Sequence, residues 1–204
     1  VQDAYKLAML FLRAQEYYES PNKNFRGNKY FSIWEYIEWY SKQNGNSFTY
    51  ARDWTGFNVP LNVALDLYER VYDVPTPYDT VMKEILTEIQ KMNEGGVLGY
   101  IIGISKGDNA TYKHEICHGL YHINREYRNG VNKITRSIGP RTYKILCNNL
   151  KEMGYTEQVF EDEVQAYLTE GTYQYNFMCG VSETTINKLS KQYNVIYEKY
   201  YNKK

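Results

Sequence analysis

The residues best equipped for chemistry crowd into one stretch, Thr111–Arg128, and above all into His114-Glu115-Ile116-Cys117-His118. All three histidines of the chain, His114, His118 and His122, fall inside it. An α-helix repeats every ~3.6 residues, so side chains four apart stand one above the other on a single face. His114 and His118 have that spacing and can bite one tetrahedral ion such as zinc, leaving room for a further protein ligand and a water. Glu115 then lies within reach of that water as a general base. His122 shares the face but stands about 12 Å from His114 along a straight axis, at ~1.5 Å per residue. One ion does not take all three, which leaves His122 to orient a ligand, touch substrate or pack.

The third ligand has to come from another element. Glu161-Asp162-Glu163-Val164-Gln165-Ala166-Tyr167-Leu168 reads as helix, with an apolar stripe through Val159, Phe160, Ala166 and Tyr167. Glu163 falls within the stripe, four after Val159 and four before Tyr167. Glu161 and Asp162 point toward Gln158, Gln165 and Thr169, on the polar side. A carboxylate on a buried face is costly unless it is paired or bound to metal. Glu163 is therefore the expected third ligand; pairing with an arginine or with tyrosine hydroxyls is the other use for it.

With Glu163 in place, the constellation resembles the zincin superfamily of metallopeptidases, and within it the gluzincin type: HExxH on one helix and a glutamate from a later one. The resemblance runs from roughly Val97 to Glu170 and leaves the first hundred residues uncovered. It implies one zinc per chain held by His114, His118 and Glu163, with Glu115 as general base and proton shuttle. Ala166 matches the small residue that commonly follows the glutamate at this offset. The reaction implied is hydrolysis of peptide bonds in a protein or peptide substrate by a metal-bound water that Glu115 activates. It also needs a donor for the developing oxyanion. With no histidine outside the helix, that role falls to a tyrosine, an arginine or His122; Tyr167 is the first choice, with Tyr173 and Tyr175 behind it.

Other zinc chemistries fit less well. The third histidine of a metzincin falls on Asn124, a deformylase-like cysteine ligand is misplaced at Cys117, Cys147 and Cys179, and an endoribonuclease pattern wants its last histidine later than His122. Cys117 stands about 100° around the helix from His118 and reads as packing. A non-catalytic zincin-like binding module with a structural metal is the competing reading, but it has no use for Glu115.

Elements that position these residues can be read from periodicity. Helices are expected over 3–18, 30–40, Pro60 to about Val71, from an Asp79 cap to Met92, from Asn109 or Thr111 through Arg128, from Pro140 to Met153, over about 156–170, and after Ser182. The apolar face of the fourth comprises Val81, Met82, Ile85, Leu86, Ile89 and Met92. A strand is expected at Val97–Ile104, where an edge could receive an extended peptide beside the metal helix. Tyr50–Pro60 reads as an aromatic loop, Asn129-Gly130 as the start of another, and Thr172–Cys179 as strand or loop. The expected fold is α+β, predominantly helical, with a small sheet, zincin-like and in one domain over 1–204. Within it, 1–96 is a helical part, 97–170 the strand, HExxH helix and glutamate helix, and 171–204 a C-terminal helix.

Composition narrows the classes further. Hydrophobic residues at 43% and charged residues at 24% are globular proportions, not those of a disordered chain. A formal net charge of +0 leaves no electrostatic footprint for nucleic acid or an anionic membrane. No apolar run approaches membrane-spanning length. Three widely spaced cysteines without a CxxC argue against a disulfide framework and favour a reducing, cytoplasmic setting.

Overall fold

The computed structural model describes residues 3–28, 30–69, 75–94, 96, 98–171 and 175–202. They are α+β and predominantly helical, with one two-stranded antiparallel sheet. The chain divides into two compact units, Val1–Asp108 and Asn109–Lys204, and each is taken by itself.

The first unit is built on α1 (Ala4–Glu19), whose exposed amides are capped by the Asp3 carboxylate. Next come α2 (Ile33–Gln43), begun by a Ser32/Glu35 capping box, and α3 (Tyr50–Asp53). β1 (Gly56–Pro60), α4 (Leu61–Tyr68), α5 (Pro77–Met92) and β2 (Tyr100–Ile104) follow. β1 and β2 pair antiparallel from Gly56↔Ile104 to Pro60↔Tyr100. The segment expected as an aromatic loop thus holds a short helix and a strand. β1 is buried from Phe57 to Pro60, so it lacks the in–out alternation that marks a half-exposed strand. β2 is shorter than expected, and Val97 and Val71 lie outside the described residues. At Gly103 a Cβ would stand 2.3 Å from the Phe11 ring, so only glycine lets α1 approach the strand this closely.

Asp79 is not the cap of α5. Thr76 caps it, with Pro77 in the first turn, and Asp79 at the third position returns a bond to the Thr76 amide at 2.7 Å. The same carboxylate takes a bidentate pair from buried Arg13, Nε–Oδ1 2.8 Å and Nη2–Oδ2 3.1 Å. Val81 and Met92, expected on the buried face, are exposed; Met82 and Leu86 carry the packing. Burial pushes the Asp79 pKa up, but Arg13 and Thr76 outweigh it and hold it below the usual aspartate value. A depressed folded pKa stabilises the fold above the unfolded value of about 4, and that contribution is lost as pH falls through the folded value. Asp79→Ala removes the carboxylate that takes two bonds from buried Arg13, and should cost about 3–5 kcal/mol in a denaturant titration at neutral pH. An equal loss on acidification of the wild type to below that folded pKa is not expected, because a neutral Asp79 still accepts one hydrogen bond.

In the second unit, α6 (Asn109–Ile123), α7 (Arg125–Ser137) and α8 (Pro140–Glu152) precede a 3-10 turn at Glu157–Val159. α9 (Phe160–Glu170), α10 (Tyr175–Met178) and α11 (Glu183–Tyr201) complete it. α9 packs against α6, α7, α8 and α11, which makes it the central helix. The expected helix through Arg128 is broken at Asn124, whose side chain accepts from the Tyr127 amide at 3.0 Å and caps α7. The expected loop after Asn129-Gly130 is instead the body of α7. Gly130 is there for a packing reason: a Cβ would meet Ile196 of α11 at 3.3 Å. α9 ends at Gly171, whose φ of 81° suits a left-handed cap that glycine adopts without strain. Of Thr172–Cys179, residues 175–178 are helical and 172–174 lie outside the described residues. No helix among the described residues is long and apolar enough to cross a membrane.

Candidate metal centre

Two helices of the second unit build the site. α6 presents His114 and His118 one turn apart on its buried face, and α9 presents Glu163 opposite them. The two Nε2 atoms lie 3.0 Å apart. Glu163 Oε2 is 3.6 Å from His114 Nε2, and Oε1 is 3.7 Å from His118 Nε2. Two ligand atoms each about 2.0–2.1 Å from one tetrahedral ion are separated by about 3.3 Å, so these distances bracket what one ion requires. Among the described residues, His114, His118 and Glu163 form the group able to hold a metal, all three buried, with ligating atoms within 4.8 Å of one another.

The donor chemistry fits as well as the spacing. Glu163 Oε2 is buried without a hydrogen-bond partner, and neither an arginine nor a tyrosine hydroxyl takes it up. His114 Nδ1 lies 3.2 Å from Glu170 Oε2, and His118 Nδ1 lies 3.0 Å from Asp162 Oδ1. Each outer nitrogen thus faces a carboxylate, and in neutral rings that donate outward both inner nitrogens would turn lone pairs toward the Glu163 oxygens. Such an arrangement calls for positive charge between them. The titration of the imidazoles expresses the same demand. Burial opposes a charged His114, but Glu163 and Glu170 outweigh it and lift the pKa to about 9. Burial likewise opposes a charged His118, and Asp162 and Glu163 carry it well above the ordinary value.

Glu115 is buried at 5% exposure beside these ligands, and its charge acts on both His118 and Tyr167. The Tyr167 ring stands edge-on to His114 with centroids 4.6 Å apart and stacks on Phe177. Its hydroxyl pairs with that of Tyr155 at 3.0 Å. Burial and the neighbouring carboxylate of Glu163 keep the proton on Tyr167 well above the usual phenol range. His122 is half-buried outside the ligand group, and its pKa is lowered by burial and by Arg128. Tyr173 lies outside the described residues; Tyr175 opens α10, and nothing is described of its side chain. Cys117 is fully buried, and burial pushes its thiol up to about 12, which removes it as a nucleophile at neutral pH.

Sequence reasoning missed Asp162, Glu170 and Tyr155. It placed Asp162, Gln165 and Thr169 on a polar side, yet Gln165 and Thr169 are fully buried. Part of that side of α9 is therefore an internal network rather than a solvated face, with Gln165 and Thr169 enclosed and Asp162 partly exposed. Glu170 was legible in principle, since it follows Glu163 by two turns and shares its face. Tyr155 had no local signal.

Comparison with protein-family models, curated proteins and solved structures found no match to this chain.

Proposed function

We propose that this chain is a zinc-dependent metallopeptidase that hydrolyses peptide bonds in a protein or peptide substrate. The observation that carries the reading is the convergence of His114, His118 and Glu163 from two helices, with Glu115 buried beside them. A zinc ion held by those three residues would polarise the scissile carbonyl and lower the pKa of a coordinated water to about 7. Glu115, next to His114 in the chain, accepts the proton of the attacking water and returns it to the leaving amine. Tyr167 is the donor proposed for the oxyanion: its hydroxyl retains its proton, and its ring lies against a ligand histidine. Cys117 takes no part.

The burial of all three ligating residues also suits a structural ion, in a module that binds without cleaving. The two readings separate in one experiment. Zinc-loaded protein is incubated with an unstructured, fluorescently labelled polypeptide, then stripped with a chelator and reloaded. Cleavage that stops on stripping and returns with zinc supports the peptidase. Failure of the protein to take up any metal from a zinc-replete buffer would sink both readings.

A further inference from the structure

The outer nitrogens of both ligand histidines end on carboxylates of the same helix that supplies the third ligand. Asp162 precedes Glu163, and Glu170 closes the last turn of α9. We propose that Asp162 and Glu170 are positioning residues, which hold His118 and His114 with the proton on Nδ1 and so turn both Nε2 lone pairs to the metal. This rests on the metal-binding part of the function proposed above.

The chemistry runs in one direction. An ionised carboxylate only accepts, so each imidazole nitrogen facing one must donate, and in a neutral ring the other nitrogen is then the acceptor. The aim of Asp162 is itself set from behind. Tyr127 donates to Gln165 Oε1 at 2.7 Å, and Gln165 Nε2 donates to Asp162 Oδ1 at 2.9 Å, the atom that also faces His118. Tyr127 and Gln165 are both fully buried, so water does not compete for these bonds. The Glu170 side chain is only 5% exposed, against 24% for Asp162. A less hydrated carboxylate holds its donor more firmly, so Glu170 is expected to matter more.

This layout means that α6 brings two ligands, while α9 brings the third ligand and both outer acceptors. Tyr127 of α7 adds the support behind Asp162. Local sequence gives only part of this away, because a carboxylate next to a ligand on a helix usually points about 100° elsewhere. Here the turn of α9 toward α6 lets adjacent residues Asp162 and Glu163 reach opposite sides of the same imidazole.

The test is metal affinity by chelator competition, together with the visible ligand-field spectrum of the cobalt(II)-loaded protein. Asp162→Ala and Glu170→Ala are each expected to weaken zinc by about 10–100-fold and to alter the cobalt bands, as loss of an outer-shell partner does. Asp162→Asn and Glu170→Gln keep a carbonyl acceptor and should recover most of the affinity and the wild-type spectrum. Alanine variants that bind as tightly as wild type with unchanged bands overturn the proposal. So do amide variants that lose as much as alanine, since charge and not ring orientation would then be at work. The tautomer of the zinc-loaded wild type, read by nitrogen-15 NMR of the imidazoles, needs no variant to fold. Protons on both Nδ1 atoms support the proposal, and a proton on either Nε2 overturns it. A wild type that binds no metal overturns the underlying metal reading before any variant is compared.

Discussion

Glu115→Gln is expected to keep its zinc and lose its hydrolysis. Gln is nearly the same size and shape as Glu, so the buried site, at 5% exposure, should still close around it. An amide cannot take a proton from water at neutral pH, and the general-base contribution goes with it, a factor of about 10²–10⁴. The drop should appear in kcat on an unstructured polypeptide, with one zinc per chain retained and the thermal midpoint little changed. The charge of Glu115 also helps raise the pKa of His118, so the variant holds slightly less negative potential around the ion. A variant that cleaves as fast as wild type would remove Glu115 from the mechanism. One that loses metal together with activity would make Glu115 a structural partner of the centre.

The second large effect concerns the ligands. His118→Ala should lose metal by more than about 100-fold, beyond the range that loss of an outer-shell partner produces. The substitution removes one of three ligand atoms and also strips Asp162 of the imidazole that faces it at 3.0 Å. His122→Ala is the matched control, because it removes a histidine from the same helix one turn further on. His122 lies outside the ligand group, and its loss should leave the zinc content at one per chain. Elemental analysis of the two purified variants decides the matter. Loss of metal in His122→Ala, with retention in His118→Ala, would move the site along the helix and undo the assignment. Because binding energy from a metal that joins two helices is also folding energy, the zinc-loaded wild type should melt higher than the stripped protein, and His118→Ala should show no such difference.

The helix that carries His114 and His118 was the most legible part of the chain. Its signal is short-range: four-residue spacing on a helix settles which side chains share a face, whatever the helix later packs against. The same rule brought Glu163 into the apolar stripe of α9, and the axial rise of ~1.5 Å per residue set His122 apart from a shared ion. Capping was legible where the residues are local, as at Ser182 before α11. It misled where two candidates compete: Thr76 caps α5, and the aspartate that looked like a cap serves the box from the third position and pairs with Arg13, sixty-six residues away.

The strand β1 and the helix α7 were hidden for opposite reasons. β1 is buried on nearly every residue and so lost its alternation, while α7 contains an Asn-Gly pair that normally signals a turn. In each case the deciding contact comes from far along the chain, β2 for the first and Ile196 for the second. Sequence patterns report the preference of a segment for water or apolar surroundings, but not which partner supplies them.

By itself, then, the sequence determined that two histidines share one helical face with a glutamate next to the first, that a second helix offers a carboxylate on its apolar stripe, and that the fold is helical with little sheet. Only the tertiary structure decided that Glu163 comes within 3.7 Å of both imidazoles, and that Asp162 and Glu170 stand behind them. It also decided that Gln165 and Thr169, on the polar side of α9, are interior. The physical reason is packing: α9 is surrounded by α6, α7, α8 and α11, so side chains whose polarity suggests solvent must satisfy one another inside the unit.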